Sequence, residues 1–368
     1  MKRVAVIGAG RIGKLIAEDL SEDFKVTLID NCNLQFGHLS EDPFEKMTCI
    51  EASFTEDKYY KDCDVVINAL PDHIGFHALK HILGTGKNVV DISFMEENPR
   101  CLEELAVENK AIAIVDAGFA PGLTNLIVGK EMRIGGLKDV TIMVGGVPKV
   151  RTLPWEYECV FSPATVLEEY ARPVRVIENN NVIAREALGN IEFVEVSGLG
   201  TLEAFETDGL RTLLAYTDIN MREKTIRYPG HAEKMKMFRD AGFFSKKRIR
   251  VAGREVSPFD VSSKLLEESW GESKDDISIM RVNCRGKSRF AEYELIDYAQ
   301  KGFTSMARVT GHTCAAAARF LLNQTNIKPG VYPLESKPLQ EEGAYREITD
   351  HLKKKNICIK TKIREVRG

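Results

Sequence analysis

Three glycines near the start of the chain and an arginine–histidine pair far downstream are the residues from which chemistry can first be argued. Gly8-Ala-Gly10-Arg-Ile-Gly13 directly follows the apolar run RVAVIG (3–8) and directly precedes an amphipathic segment. That spacing suits a phosphate-binding turn. Gly8 permits the tight bend, Gly10 lets the backbone approach a pyrophosphate, and Gly13 allows a helix to pack closely on the strand. The helix N-terminus, with Arg11 and Ile12 in its first turn, would add N–H groups and a favourable dipole, and Arg11 could neutralise phosphate charge. The next apolar run, KVTLID (25–30), ends at Asp30. A carboxylate there accepts both ribose hydroxyls and repels a 2′-phosphate, which argues for NAD as the cofactor over NADP. Cys32 would lie near the same ribose. Downstream, Arg227 offers a guanidinium that can take a carboxylate bidentately. His231 offers an imidazole that could act as a general base near neutral pH.

Positioning these groups requires strands and helices. The runs MTCI (47–50), DVVINAL (64–70), NVVDIS (88–93) and AIAIVD (111–116) alternate with amphipathic stretches such as RIGKLIAEDL and HIGFHALKHIL. Nearly continuous apolar strands separated by helices imply a parallel sheet covered on both faces, joined by right-handed crossovers. Ligands of such sheets lie at the carboxyl ends of the strands. That rule lays Asn68, Ala69, Leu70 and Pro71 along the cofactor and puts Ser53, in EASF (51–54), beside the adenine. It brings Asp91 and Ser93, and the loop DAGFAPGLTN (116–125), toward the nicotinamide, with Gly118 keeping the loop backbone bare. Asp91 and Asp116 could accept an amine proton or position a water, unless they serve as helix caps.

After about residue 135 the texture changes. DVTIMVGGV, RPVRVIENNNVIA, IEFVEV, TLEAFET and KTIRY read as strands with few helices between them, and NNN (179–181) and Gly286-Lys287 mark hairpin turns. The expected fold class is α/β, a Rossmann doubly wound parallel sheet plus a second mixed α/β domain with a largely antiparallel sheet. The dinucleotide-binding domain is expected over 1–121, completed by 305–340, where the alanine-rich GHTCAAAARFLLNQ would dock back beside it. The substrate-binding and dimerisation domain is expected over 122–304, followed by a C-terminal helix–strand extension over 341–368. An open sheet face would need a cover, and a second subunit forming a homodimer or higher homo-oligomer would supply it.

Composition narrows the function classes. The chain has 368 residues, ample for two domains, and its net charge of -3 gives no electrostatic reason to expect nucleic acid or an anionic membrane as partner. No apolar run approaches membrane-spanning length, and MKRVAVIG enters a strand at once, so a cytoplasmic protein is expected. Cysteines 32, 49, 63, 101, 159, 284, 314 and 358 are scattered without a CxxC pair. Reduced thiols are expected, with neither a metal site nor a disulfide framework.

GAGRIG, VVDISF, GFAPGLTN, TIRYPGHAEKM, TSMARVTGHTCAAAA and IKPGVYPLE, in that order over nearly the whole chain, resemble the saccharopine dehydrogenase-like family. Within it the chain most resembles the L-lysine 6-dehydrogenase branch. The resemblance implies an NAD(P)-dependent oxidoreductase acting on CH–NH donors. In that branch the ε-amine of L-lysine is oxidised to a semialdehyde, which cyclises to piperideine carboxylate. Saccharopine reductases carry Asp-Pro-Gly followed by Asp-His where this chain has Ala120-Pro121-Gly122 and Thr124-Asn125. They carry Asn-Arg-Asp where it has Thr207-Asp208-Gly209. Losing an acid and an arginine suits a small amino-acid substrate, so Ala120 would help to tell it from a larger conjugate. Arg227 keeps the arginine of the family's RY-G motif and would grip the α-carboxylate, with His231 as general base and Asp208 holding an ammonium. Ser93, Thr124 and Asn125 would position substrate by hydrogen bonds, and Trp155 and Tyr157 would wall the pocket. Two alternatives stay open. One is saccharopine- or carboxynorspermidine-type reductive condensation of an aldehyde with an amine; the other is an NAD-binding sensor without turnover.

Overall fold

The computed structural model describes residues 1–32, 47–159 and 162–365. The chain begins with β1 (Arg3–Ile7), α1 (Arg11–Ser21), β2 (Lys25–Asp30), β3 (Met47–Glu51) and β4 (Val65–Asn68). It continues through α2 (Asp72–Gly84), β5 (Val89–Asp91), α3 (Glu103–Glu108), β6 (Ile112–Val115) and α4 (Leu123–Ile134). Next come β7 (Leu137–Pro148), α5 (Pro163–Ala171), β8 (Val174–Glu178), β9 (Asn181–Arg185), β10 (Glu192–Val196) and β11 (Gly200–Glu206). β12 (Asn220–Arg227), α6 (His231–Asp240), β13 (Ile249–Val251), β14 (Arg254–Val256), α7 (Pro258–Trp270), β15 (Asp276–Gly286) and β16 (Arg289–Tyr298) follow. The last elements are α8 (Ser305–Asn323), β17 (Gly330–Pro333), α9 (Lys337–Glu341), α10 (Ala344–Lys354) and β18 (Lys360–Glu365). They divide into two units, one of Met1–Ile134 with Ala307–Cys358, the other of Gly135–Met306 with the chain from Ile359 onward.

The first unit is built on a parallel sheet of order β17-β6-β5-β4-β1-β2-β3. The chain winds outward from β1 in one direction and then from β4 in the other. That reversal creates the switch point at which such sheets bind their ligands. Val4, Ala5, Val6, Leu28, Val66, Ile67, Val90 and Ile114 are fully buried, which is why these strands read as unbroken apolar runs. α1 packs inward through Leu15, Ile16 and Leu20, and a Cβ on Gly311 of α8 would lie 2.5 Å from Leu15 Cδ2. The glycine therefore lets the two helices approach.

Asp19 shares the buried side of α1. Its carboxylate accepts from His312 Nδ1 of α8 and from His351 Nε2 of α10 at 3.0 Å, and Arg319 Nη1 of α8 lies 2.6 Å away. Burial alone would raise this carboxyl; the two histidine bonds and the Arg319 charge outweigh it and hold the group well below the usual carboxylate range. The helix that starts at the glycine-rich turn is thus clamped to α8 and α10.

The second unit is built on a mixed sheet whose main path is β10-β11-β12-β7-β15-β16-β18, with β8 pairing to β12 and β9. β12 and β7 are parallel, and the other pairs are antiparallel. Asn179 and Asn180 turn the β8–β9 hairpin at φ 49° and 65°, a conformation asparagine tolerates. α5, α6 and α7 contribute to a core of Val166, Leu167, Tyr170, Ala232, Met235 and Trp270 that also takes in Phe205 of β11.

The division differs from the sequence expectation in two places. The boundary falls after Ile134 rather than after residue 121, because α4 buries Leu123, Leu126, Ile127 and Val128 in the first unit. A Cβ on its Gly129 would lie 2.6 Å from Glu335 Cα, so α4 sits directly on the segment after β17. The last stretch is not a separate extension either. α10 belongs to the first unit through buried Ile348 and Leu352, whereas β18 pairs with β16 in the second sheet.

Candidate functional site

In the first unit the glycine-rich turn closes against the end of β4. Gly8 has φ +103°, and a Cβ there would lie 2.6 Å from Ala69 O; a Cβ on Gly13 would lie 1.8 Å from Gly8 O. Both glycines are therefore demanded by the fold. Gly10 is different, since a Cβ there would meet nothing within 4 Å. Its bareness keeps clear a space outside the protein. Gly10 also caps α1 without a side-chain bond, and the first turn, including Arg11 and Ile12, carries no acid. The positive end of the helix is left for an anion.

Asp30, at the end of β2, is held by the same turn. Its Oδ2 accepts from Ala9 N at 2.7 Å and its Oδ1 from Cys32 N at 2.9 Å, leaving lone pairs for hydroxyl donors. Bare Gly10 and fixed Asp30 fit a dinucleotide. Ser53, after β3, is engaged locally. Its hydroxyl accepts from Thr55 N at 3.3 Å and from Thr55 Oγ1 at 2.9 Å.

The strand ends beside this turn are locked to one another. Asn68 Nδ2 donates to Gly75 O at 3.0 Å and to Asp91 Oδ2, and Ser93 N donates to Asp91 Oδ1 at 2.8 Å. Ser93 Oγ donates to Leu70 O at 3.0 Å, which fixes the Ala69-Leu70-Pro71 segment. Asp91 is fully buried. In this geometry Asp91 and Ser93 bond to neighbouring strand ends.

The DAGFAPGLTN loop also closes on itself. Asp116 follows β6 at φ 51° and is buried. Leu123 N donates to Gly118 O at 2.9 Å, and a Cβ on Gly122, at φ +138°, would lie 2.0 Å from that same oxygen. A Cβ on Gly118 would lie 3.2 Å from Thr310 Cγ2 of α8, so its bareness answers to packing. Thr124 Oγ1 and Gly122 N both donate to Asn125 Oδ1, and Asn125 Nδ2 donates to Glu335 Oε2 at 3.2 Å. Thr124 and Asn125 thus brace the loop. Ala120 is the partly exposed residue in an otherwise buried run from 113 to 129.

In the second unit Glu223, Thr225 and Arg227 alternate along β12 and share one face of the sheet. Register pairs Arg227 with Glu203 and Thr225 with Phe205 on β11. The Arg227 guanidinium is buried and lies 4.8 Å over the Tyr157 ring; Nη1 donates to Ile226 O at 2.9 Å and Gly146 O at 3.4 Å. Among the described residues its Nε has no hydrogen-bond partner, and neither does the buried Tyr157 Oη. Trp155 packs edge-on to Trp270 at 6.4 Å, and its indole N–H donates to Ser269 Oγ.

His231 opens α6, and the turn before it is set by a residue no motif announced. Glu203 accepts from Gly230 N at 2.7 Å and from Ala232 N at 2.6 Å, satisfying donors at the start of α6. His231 Nε2 lies 3.0 Å from Tyr170 Oη of α5, and the ring stacks on Phe205 at 13°. Its Nδ1 has no partner in hydrogen-bond geometry. Burial, reinforced by the charges of Arg227 and Lys234, pushes the imidazole well below its usual value. An imidazole so hard to protonate is a poor acceptor for an ammonium proton at neutral pH.

Asp208 is likewise already engaged. Arg175 donates to it through N, Nε and Nη2 at 3.0, 3.0 and 2.7 Å, and Arg172 Nε lies 3.5 Å away. Its carboxylate is held in an internal ion pair. Two acids that sequence reasoning missed stand nearby. Glu223 Oε2 accepts from Thr207 Oγ1 at 2.6 Å, and burial, with the charges of Glu169 and Asp208, pushes its carboxyl up to about 8. Burial pushes the Glu169 carboxyl of α5 up to about 7 against the charges of Arg172 and Arg227. The available sequence signal was Gly209, where a Cβ would lie 2.7 Å from Glu223 Cδ.

Among the described residues, Asp19, His312 and His351 form a group of metal-ligand types, but Arg319 and Lys355, 2.6 and 3.7 Å from Asp19 Oδ1, already answer its charge. The cysteines are free thiols, and no described helix is long and apolar enough to cross a membrane.

Comparison with known proteins places this geometry. The family model described as "Saccharopine dehydrogenase NADP binding domain" matches residues 4–114, and "Saccharopine dehydrogenase C-terminal domain" matches residues 118–357. The alpha-aminoadipic semialdehyde synthase of Arabidopsis thaliana is 20% identical over 212 residues, 49% of this chain; the chain spans about a fifth (20%) of the length of that relative. The solved saccharopine dehydrogenase (L-Glu forming) of Saccharomyces cerevisiae aligns over 99% of this chain and 100% of its own, with a TM-score of 0.80 and 19% identity. That match shows a shared fold. An amine dehydrogenase from Mycobacterium smegmatis aligns over 91% of this chain and 95% of its own at a TM-score of 0.45 and 10% identity.

Proposed function

The chain belongs to the saccharopine dehydrogenase family, an NAD(P)-binding oxidoreductase family acting on amino-acid CH–NH bonds, and from that premise we propose that it is an NAD-dependent L-lysine 6-dehydrogenase. In this reading the ε-amine of lysine is oxidised to an imine, and water releases the semialdehyde, which cyclises to piperideine carboxylate. The observation that carries it is Arg227, a buried guanidinium with an unpartnered Nε. A buried cation with spare donors fits an anionic group of the substrate, and a carboxylate matches the guanidinium fork.

The chain's own residues would divide the work as follows. The backbone from Gly8 to Gly13 holds the pyrophosphate, and Asp30 accepts the ribose hydroxyls, which favours NAD over NADP. Bound NAD supplies the hydride acceptor, C4 of its nicotinamide. Arg227 fixes the α-carboxylate and so restricts which carbon can react. Tyr157 covers one face of the planar guanidinium with its ring and shields it from water. Ala120 adds no charge to its loop, which suits a small amino acid over a conjugate bearing further carboxylates.

Saccharopine-type reductive condensation is the second reading. Arg172 and Arg175 favour it, since a substrate with more carboxylates could share their charge with Asp208. A panel separates the two. L-lysine, L-ornithine, saccharopine, and diaminopropane with aspartate semialdehyde are each supplied with NAD(H) or NADP(H), and reduced nicotinamide is followed by absorbance. Reduction of NAD with lysine alone supports the leading reading; turnover confined to saccharopine or to the condensing pair contradicts it.

A further inference from the structure

The cluster around Arg227 in the second unit contains two acids, buried Glu223 and half-buried Glu169, that feel the Arg227 charge but make no ion pair among the described residues. Glu223 is 5% exposed, and its bond is to a neutral donor, Thr207 Oγ1. Among the described residues no hydrogen bond or ion pair reaches the Glu169 carboxyl. Asp208, their neighbour, shows what satisfaction looks like here, with Arg175 forked onto it through Nε and Nη2 at 3.0 and 2.7 Å. The chain also makes room for this arrangement, because any side chain at position 209 would strike the Glu223 carboxyl. Glu223 shares its sheet face with Arg227, and Glu169 precedes Tyr170, whose hydroxyl interacts with Arg227. Carboxyls held away from water without an ion pair either keep a proton or take up a cation.

Resting on the reading that Arg227 grips a carboxylate, we propose that Glu169 and Glu223 bind the α-ammonium of the same amino acid. The cluster would then recognise the zwitterionic end of the substrate as a unit, leaving the side-chain amine free for oxidation. It would select α-amino acids over ω-amino acids and polyamines that lack the α-amine. Placing a cation beside both carboxyls favours their ionised forms, so binding must release protons wherever the free carboxyls are partly protonated.

Calorimetric titration of the wild-type protein with L-lysine and with 6-aminohexanoate, which lacks the α-amine, tests this. The titrations are run with saturating NAD, at a pH between the values of the two acids, in buffers of low and high ionisation enthalpy. L-lysine should bind at least about tenfold more tightly, as loss of a charge-assisted bond implies. It should release on the order of one proton, which 6-aminohexanoate should not. Glu223→Gln and Glu169→Gln should each shrink both the preference and the release. Equal affinity for the two ligands, or lysine binding without proton release, overturns the inference while leaving the amino-acid reading intact. Failure of both ligands to bind a protein that still takes up NAD overturns that reading and the inference together.

Discussion

Tyr170 Oη lies 3.0 Å from His231 Nε2, inside a layer where Phe205 stacks on the imidazole and the Arg227 charge opposes its protonation. The pair is better suited to holding shape than to moving a proton near neutral pH. His231 should therefore stay neutral while an ordinary histidine titrates. The native state then binds fewer protons than the unfolded chain below the usual histidine value of about 6.5, so acidification through that range should cost stability, by up to about 1.4 kcal/mol per pH unit. NMR of ring-labelled histidine, assigned with a His231→Gln variant, checks this. A His231 midpoint near the ordinary value would show the assignment of a neutral ring to be wrong.

The glycine-rich turn separates what the fold needs from what a ligand needs. Gly13→Ala would drive a Cβ to 1.8 Å from Gly8 O and should cost about 1–3 kcal/mol of stability, as overpacking does. Gly10→Ala faces open space and should leave the melting temperature nearly unchanged. Its NAD affinity should nonetheless fall at least about tenfold, a loss of 1.4 kcal/mol. Thermal melts paired with NAD titrations read both quantities. Normal NAD binding by Gly10→Ala would place the pyrophosphate elsewhere.

Asp19 is the electrostatic hub of the first unit, and removing its charge leaves Arg319 with Asp23 as its remaining carboxylate partner among the described residues, at 2.9 Å. Breaking one side of a buried pair costs about 3–5 kcal/mol, and Asp19→Asn should lose an amount near the lower end because Arg319 keeps some exposure. The carboxyl is held low, so its stabilisation is present above the unfolded carboxylate value of about 3.9 and is lost as pH falls through the folded value. Denaturant melts of the variant and the parent at neutral pH measure the difference. A loss below about 1 kcal/mol would mean that the hub is ornamental in energy.

Much of the fold was legible in the sequence because its signals are local. Strands buried on both faces must be apolar throughout, so RVAVIG and DVVINAL declare themselves, and Gly13 follows from a contact within its own turn, where a Cβ would lie 1.8 Å from Gly8 O. Asn179 and Asn180 needed only their own tolerance of positive φ. The second unit was less legible because its polar chemistry depends on strand register. Glu203 caps α6 from 27 residues away in the chain, and this requires β11 to pair with β12 so that Glu203 stands opposite Arg227. Asp208 looked available for an ammonium until Arg175, 33 residues earlier, folded onto it. Thr124 and Asn125 looked like positioners for the same reason. Asn125's partner Glu335 lies 210 residues beyond it, and Thr124 bonds to Asn125.

Arg227→Lys is the most direct test of the account's central claim, that Arg227 grips the substrate carboxylate. The lysine keeps a cation but loses the guanidinium fork. Steady-state kinetics with L-lysine should show KM raised roughly 10- to 100-fold, about 1.4–2.7 kcal/mol, with the dissociation constant for NAD unchanged. An unchanged KM accompanied by weakened NAD binding would contradict the claim.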